Sequence, residues 1–220
     1  MTGLAFLHGW GYGPESWDAW TGGFGAAPVA VLNAGYFGQR RLDLPHNPDG
    51  WIGVGHSLGF ARLLEMDVAW RGLVGVSGFL RFCQKPGRNT GTPVDVLNAM
   101  LHRFDEAPQD VLARFHRRCG QQGACQGQAL AGGLARLRAD LVHLRDLDLR
   151  PENHPDTAPV STLLLHAQDD RIVPPDLARE AQRLLPGSRL TLLDTGGHAL
   201  PMTRAQDCLR LLQEFTHGLG

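Results

Sequence analysis

The sequence predicts an α/β protein with a doubly wound, mostly parallel sheet, and three features of its apolar pattern support that prediction. Short continuous apolar runs recur along the chain, which is typical of strands buried on both faces of a parallel sheet. Amphipathic helical stretches separate most of these runs, with short connections between them. One long segment without strand-like runs interrupts the alternation. We therefore expect a single domain over residues 1–220, with a helical insertion at about 79–156.

Six apolar runs are predicted to form the strands. They lie at residues 4–7, 29–32, 51–55, 73–76, 160–165 and 189–193, and we expect the first two to be buried on both faces. Helices are predicted between or after them at residues 60–70, 175–185 and 203–217. Strands that alternate with helices in this way are joined by right-handed crossovers, so the sheet should have helices on both faces.

The insertion is predicted to be helical throughout, with helices at residues 94–104, 108–119 and 128–147. The last helix has leucines at spacings of four and three, which form one apolar face; they are Leu130, Leu134, Leu137, Leu141 and Leu144. A glycine- and glutamine-rich turn at residues 120–127 separates the second helix from the third.

Composition excludes several classes of protein. The formal net charge of −1 argues against binding to nucleic acid through bulk charge, and no apolar run reaches the roughly 18–20 residues of a membrane span. Residues 1–3 lead directly into the first strand without a basic segment or a signal cleavage site. The four cysteines, Cys83, Cys119, Cys125 and Cys208, form no C-x-x-C pair and are expected to be free thiols. We therefore expect a cytoplasmic protein that needs no cofactor. No metal site is expected either, because the histidines show no zinc-binding spacing.

The pentapeptide Gly55-His56-Ser57-Leu58-Gly59 is the main candidate for chemistry. An apolar run precedes it and an amphipathic helical pattern follows it, which is the strand–turn–helix context of a nucleophile elbow. Glycine at both ends of the pattern would let two backbones approach closely around Ser57. Taken alone, the pattern fits an ordinary glycine-rich turn equally well. Other parts of the chain are needed to distinguish such a turn from a nucleophile elbow.

Two later loops supply partners for this serine. Asp170 follows the fifth predicted strand and His198 follows the sixth, so the chain order is Ser57, Asp170, His198. A serine hydroxyl needs an adjacent base to attack at neutral pH, and the base needs a carboxylate that holds its tautomer. Asp169 and Asp194 are the alternative acids. We favour Asp170 because it begins the pattern Asp-x-x-Val-Pro, in which the acid points inward and the Val-Pro pair starts a helix.

An oxyanion hole requires two backbone N–H donors that point at the reacting carbonyl oxygen. The residue after the nucleophile, Leu58, is one candidate. The second donor is expected from the loop after the first strand, where His8-Gly9 precedes Trp10. We therefore expect Trp10 to contribute its amide, and its indole either walls the acyl pocket or simply packs in the core.

These motifs together resemble the α/β-hydrolase fold esterases. The resemblance rests on Leu7-His8-Gly9-Trp10-Gly11, Gly55-His56-Ser57-Leu58-Gly59, Asp170-Arg171-Ile172-Val173-Pro174 and Gly197-His198-Ala199. It covers roughly residues 4–80 and 158–217, and His-Gly-Trp-Gly is similar to the pimeloyl-acyl-carrier-protein methyl ester esterases of biotin synthesis. The resemblance implies an esterase that releases methanol from a carrier-bound ester, with the insertion forming a lid over the serine.

Two departures from that family loosen the implied substrate. The chain opens at what is usually the third strand, so the N-terminal hairpin is expected to be absent and the sheet to have about six strands. His56 stands where the biotin-pathway enzymes typically carry tryptophan. A general carboxylesterase or thioesterase that acts on a small acyl ester without a carrier is the alternative. A hydrolase-fold protein that binds a ligand without turnover is a third, which the complete Ser57, Asp170 and His198 set disfavours.

The charge of the insertion bears on the carrier. Residues 79–125 hold seven basic and four acidic side chains, a net charge of +3. Arg114, Arg117 and Arg118 lie at spacings of three and four and share one face of the second predicted helix. Acyl carrier proteins are acidic, so a basic lid would steer one toward the serine. A solvated helix face in an arginine-rich protein is the alternative explanation.

Overall fold

A parallel sheet of six strands forms the centre of the molecule. The computed structural model describes residues 1–87, 89–120, 131–152 and 160–219. The strands are β1 (Gly3–Leu7), β2 (Val29–Leu32), β3 (Trp51–His56), β4 (Trp70–Val76), β5 (Thr162–Ala167) and β6 (Arg189–Leu193). Their order is β2-β1-β3-β4-β5-β6, and every neighbouring pair is parallel. The predicted doubly wound α/β sheet is confirmed.

Helices cover both faces of this sheet. They are α1 (Asp18–Thr21), α2 (Leu58–Glu65), α3 (Val94–Glu106), α4 (Pro108–Arg118), α5 (Ala131–Asp146), α6 (Pro175–Leu184), α7 (Leu200–Thr203) and α8 (Ala205–His217). Short 3-10 helices at Pro14–Trp17 and Gly22–Phe24 flank α1. Within the described ranges, every helix is too short or too polar to cross a lipid bilayer.

Alternation along the strands divides the apolar core between the two faces. Phe6 on β1 and Val54 on β3 belong to the cluster under α1 and α8. Leu7 and Leu73 point to the opposite face, where they pack with α2 and the helices of the insertion. Successive side chains of a strand point to opposite faces, so a sheet with apolar residues at nearly every position requires cover on both sides.

Two predictions about individual elements are wrong. The helix after β3 ends at Glu65, because Met66 is extended and Trp70 already begins β4. The strand at residues 29–32 lies at the sheet edge, where Val29 is 37% exposed, and is not buried on both faces. The last predicted helix corresponds to α8, which begins at Ala205 because Arg204 interrupts the helical backbone after the short helix α7.

The segment between β4 and β5 contains α3, α4 and α5. On α5, Leu137, Leu141 and Leu144 are buried, as expected of its apolar face. Some predicted features lie outside the described residues. They are Arg88, Cys125, Leu130, the turn at 120–127 beyond its first residue, and the end of the predicted insertion near 156. Cys83 and Cys208 are buried free thiols, and Cys119 is also buried.

Candidate active site

Ser57 occupies a strained turn between β3 and α2. Its φ is 53°, in the left-handed region that non-glycine residues rarely adopt. A Cβ atom at Gly55 would lie 2.4 Å from the backbone of Phe60, and one at Gly59 would lie 2.2 Å from the carbonyl oxygen of Leu7. Glycine is therefore required at both positions for α2 to pack against β3 and β1.

The strand order explains why Ser57 and Trp10 meet. From β1 the chain runs to β2 on one side of the sheet and then to β3 on the other, so its winding reverses between β1 and β3. Loops at the carboxyl ends of strands around such a reversal diverge and leave a crevice between them. Trp10 follows β1 and Ser57 follows β3, so both residues border this crevice.

The structure brings Ser57, His198 and Asp170 into one hydrogen-bonded chain. His198 Nε2 lies 3.0 Å from Ser57 Oγ, and His198 Nδ1 lies 2.8 Å from Asp170 Oδ2. An ionised carboxylate only accepts hydrogen bonds, so Nδ1 carries the hydrogen and Nε2 accepts the hydroxyl proton of Ser57. All three residues are at most 6% exposed. This arrangement can move a proton from a serine hydroxyl to an imidazole.

Asp170 is held in its charged form. Burial raises the pKa of its carboxyl, but His198 and His166 beside it and the N–H of Val173 outweigh that effect and lower the pKa to about 2. Its Oδ1 accepts hydrogen bonds from the N–H groups of Ile172 (2.8 Å) and Val173 (2.9 Å). The carboxylate is thus oriented from one side by the backbone and presents its other oxygen to His198.

The two alternative acids contact other partners. Asp169 Oδ1 accepts a 2.8 Å hydrogen bond from the N–H of Gly197, and Asp194 Oδ1 accepts one from the side-chain amide of Gln168 at 3.1 Å. Asp169 therefore supports the backbone of the histidine loop, whereas Asp170 contacts the imidazole.

The amides of Trp10 and Leu58 have no hydrogen-bond acceptor among the described residues. The N–H of Tyr12 donates to the carbonyl of Gly9 at 3.3 Å, and Gly11 has a φ of 74°. Residues 9–12 thus form a β-turn with a left-handed third residue, in which the N–H of the second residue, Trp10, is not used by the turn. Leu58 is the first residue of α2, where backbone N–H groups lack an intrahelical acceptor.

The indole of Trp10 packs against the insertion. Its Nε1–H donates a 2.8 Å hydrogen bond to the carbonyl of Leu137 on α5, and its ring lies edge-on to Phe115 on α4. Asp140 on α5 also accepts hydrogen bonds from Tyr36 and from Arg62 of α2. The insertion is therefore anchored to both the Trp10 loop and the helix that follows Ser57.

A cavity of about 1290 Å³ extends from Ser57 between the sheet edge and the insertion. Apolar side chains that line it include Trp10, Leu97, Met100, Val111, Leu141 and Leu144. Six arginines also line it: Arg103, Arg114, Arg117, Arg118, Arg171 and Arg204. The described residues contain no group of three or more side chains that could hold a metal ion.

The three arginines singled out from the sequence are exposed on α4. In the described part of the chain, no carboxylate lies within ion-pair distance of Arg114, Arg117 or Arg118, and the Arg118 guanidinium reaches the carbonyl of Arg171 at 3.4 Å. Two other basic residues of the insertion are neutralised. Arg81 is fully buried against Glu180 of α6 at 2.9 Å, and Arg103 pairs with Glu106 and Asp110.

Sequence reasoning missed three contacts around the Trp10 and His198 loops. His56 Nε2 lies 2.9 Å from the carbonyl oxygen of His198. His116 Nε2 lies 2.8 Å from that of Gly11, and the carbonyl of Cys119 accepts the N–H of Ala199 at 3.1 Å. Each contact joins segments more than 75 residues apart, so no local pattern could reveal it. The only sequence signal was a histidine at two of these positions, His56 and His116.

Comparison with known proteins gives relatives and structural neighbours but no matching family model. The chain is 27% identical to a pimeloyl-[acyl-carrier protein] methyl ester esterase of Aromatoleum aromaticum, over 98% of both chains. It is 28% identical to a protein of the same name from Vibrio cholerae, over 96% of this chain and 93% of that one.

Among solved structures, the esterase EaEST from Exiguobacterium antarcticum superposes with a TM-score of 0.81 at 16% identity, covering 98% of this chain and 91% of that chain. The chain therefore has the α/β-hydrolase fold, and it is similar over nearly its whole length to two esterases named for pimeloyl-acyl carrier protein methyl ester.

Proposed function

We propose that this protein is a serine carboxylesterase in which Ser57 is the nucleophile, His198 the general base and Asp170 the residue that orients the base. One observation carries the proposal: the hydrogen-bonded chain from Ser57 through His198 to Asp170, on a turn with a strained φ of 53° at the serine. The two relatives named as esterases support the same reaction class. A protein that only binds a ligand has no physical need for all three groups in this order.

In the first half of the reaction, Ser57 Oγ attacks the ester carbonyl while its proton passes to His198 Nε2. Asp170, 2.8 Å from Nδ1, stabilises the imidazolium that results. The carbonyl oxygen becomes negative and is stabilised by the N–H groups of Trp10 and Leu58, which have no other acceptor in the described chain. The tetrahedral intermediate then expels the alcohol, which takes its proton from His198.

The second half returns the enzyme to its starting state. Water attacks the acyl group on Ser57 and gives its proton to His198 Nε2, and the same two amides hold the oxyanion again. Collapse of this intermediate breaks the bond to Ser57 Oγ, which recovers the proton from His198. The products are the free carboxylic acid and the alcohol, and no cofactor enters the cycle.

The proposed substrate is the methyl ester of pimeloyl-acyl carrier protein in biotin synthesis, with methanol as the alcohol released. This assignment is supported by the names of the relatives at 27% and 28% identity. The cavity beside Ser57 is lined by apolar residues such as Met100 and Leu141, which suits an acyl chain.

We infer that the insertion acts as a lid within a single domain and that Arg114, Arg117 and Arg118 receive the carrier. The three arginines border the cavity, and no described carboxylate neutralises them. Acyl carrier proteins are acidic, so exposed positive charge at the cavity mouth would raise the rate of productive encounter. The charge available is smaller than the sequence suggested, because Arg81 and Arg103 already have acidic partners.

The test compares two substrates on the same enzyme preparations. Hydrolysis of the carrier-bound pimeloyl methyl ester is measured beside hydrolysis of a short p-nitrophenyl ester, with Ser57→Ala as the control. The expected result is a higher kcat/KM for the carrier-bound ester and no turnover of either substrate by the control. Turnover of the small ester alone would leave the esterase but exclude the carrier substrate. Equal turnover by wild type and Ser57→Ala would refute the mechanism.

A further inference from the structure

His56, the residue immediately before Ser57, contacts the backbone of the catalytic histidine. Its side chain is fully buried, and its Nε2 lies 2.9 Å from the carbonyl oxygen of His198. A carbonyl oxygen can only accept, so Nε2 of His56 carries the hydrogen and donates it. The contact spans 142 positions of the sequence and joins the loop of the nucleophile to the loop of the base.

The loop that carries His198 depends on such contacts for its shape. Gly196 and Gly197 precede the histidine with φ values of 146° and 62°, and glycine imposes few limits of its own on the backbone. The N–H of Gly197 donates to Asp169, and the N–H of Ala199 donates to the carbonyl of Cys119. The His198 carbonyl lies between these two amides in the chain and is held by His56. Of the three hydrogen bonds, the one from His56 is the one that comes from the segment that carries Ser57.

The protonation state of His56 suits this role. Burial, together with the nearby His198, lowers its pKa to about 3, against smaller opposing effects of the His198 carbonyl and Asp170. The other ring nitrogen, Nδ1, has no hydrogen-bond partner among the described residues. A neutral ring 5.0 Å from the ring of His198 adds no repulsion when the imidazolium forms.

We propose that His56 is a positioning residue, whose Nε2–H bond to the carbonyl of His198 sets the distance between the imidazole and the hydroxyl of Ser57. The inference rests on the proposed function, in which His198 is the general base. Ser57 and His56 share a peptide bond, so the nucleophile and the backbone of its base are joined by one side chain and one hydrogen bond. A displacement of the elbow would therefore carry the base with it.

The test uses two amide variants that differ only in reach. In His56→Gln the side-chain NH₂ can extend to the position of Nε2, whereas in His56→Asn it falls short. We expect His56→Asn to lower kcat about 30–100-fold with KM nearly unchanged, since misplacing reacting groups by around 1 Å can cost about 100-fold. His56→Gln should recover kcat to within about fivefold of the wild type, because it restores the donor. Rates are expressed per active site titrated with a fluorophosphonate, so that unfolded protein does not lower the measured kcat.

A control separates positioning from general destabilisation. Thr162 is buried at the amino end of β5, and its hydroxyl donates a 2.8 Å hydrogen bond to the carbonyl of Val160. Thr162→Val should lower the melting temperature and leave kcat unchanged. Equal losses of kcat in His56→Asn and His56→Gln, or wild-type kcat in His56→Asn, would overturn the inference. Absence of labelling and turnover in the wild type would instead refute the proposed function.

Discussion

The carboxyl edge of the sheet and the outer face of α4 border the same cavity but are built in opposite ways. At the sheet edge, Ser57, Asp170 and His198 are at most 6% exposed and hydrogen-bonded to one another. On α4, Arg114 and Arg117 are exposed and have no carboxylate partner among the described residues. Bond-making requires fixed distances, whereas the capture of a charged partner requires free charges. Under the proposed function, the sheet edge would meet the first requirement and α4 the second.

Helix α4 takes part in both surfaces. Its inner face contacts the two loops of the site, since His116 bonds the carbonyl of Gly11 and Phe115 lies edge-on to the ring of His198. Its outer face carries the arginines. Variants on the two sides should therefore fail differently: those at the sheet edge should lose turnover of every ester, and those on the outer face only the turnover that depends on a carrier.

The largest effect is expected from the acid. Asp170→Asn should lower kcat by about 10⁴-fold for both small and carrier-bound esters, because it removes the acceptor that fixes the tautomer of His198. Asp169→Asn is the matched control, since among the described residues the Asp169 carboxylate has a hydrogen bond to the backbone N–H of Gly197 and none to His198, and this variant should lose less than about tenfold in kcat. Steady-state kinetics on the two variants measure the two losses of kcat. A larger loss in Asp169→Asn than in Asp170→Asn would show that Asp170 is not the acid that orients His198.

Low pH should destabilise the folded protein, because several buried histidines lie at the carboxyl edge of the sheet. The pKa values of His8, His56, His116 and His166 are lowered by burial, that of His56 to about 3. Below pH 6.5 the unfolded chain binds protons that the folded chain does not, so stability is fully present above pH 6.5 and falls as the pH falls toward the folded values. His56 alone should remove about 3 kcal/mol of unfolding free energy between pH 6.5 and pH 4.

Urea denaturation across this pH range measures the effect. His56→Gln supplies the control, because an amide does not titrate. The unfolding free energy of this variant should fall less between pH 6.5 and pH 4, by the amount that His56 contributes in the wild type. A wild-type unfolding free energy that stays constant from pH 6.5 to pH 4 would show that these imidazoles are accessible to protons in the folded state.

The elbow should tolerate no side chain at Gly59. A Cβ atom there would lie 2.2 Å from the carbonyl oxygen of Leu7, so Gly59→Ala should lose about 1–3 kcal/mol of stability or more and shift the Ser57 turn. Gly22→Ala is the control, because in the described part of the chain no atom beyond its own neighbouring backbone lies within 4 Å of the added carbon, and φ is −81°. Thermal unfolding should separate the two variants, and equal melting temperatures would mean that α2 does not need this close approach.

The smallest effect is expected on the outer face of α4. Replacing Arg114, Arg117 and Arg118 with Glu should lower kcat/KM for a carrier-bound ester about tenfold at low salt and leave small esters unaffected, because steering acts on charged partners. A triple Glu variant at Arg40, Arg71 and Arg183, exposed residues that do not line the cavity, has the same change of charge. Equal losses in both triple variants, or a loss on small esters, would exclude α4 as the docking face.

The sequence predicted much of the site because its main parts are local. The glycines around Ser57, the buried runs and the loops after strands are read within a few residues, and the doubly wound arrangement follows from right-handed crossovers. Contacts between distant segments could not be read. The edge position of Val29, the pairing of Arg81 with Glu180 and the His56–His198 contact all depend on three-dimensional packing. Arg81 shows the consequence, because a basic residue counted as surface charge is buried.

The most direct test of the account asks which atom is the nucleophile. The wild type and Ser57→Ala are treated with a fluorophosphonate, and the modified residue is located by mass spectrometry of peptides. One label is expected, on Ser57, with none on the variant, and esterase activity should be lost in proportion to labelling. A label on another residue, or esterase activity that survives complete labelling of Ser57, would contradict it.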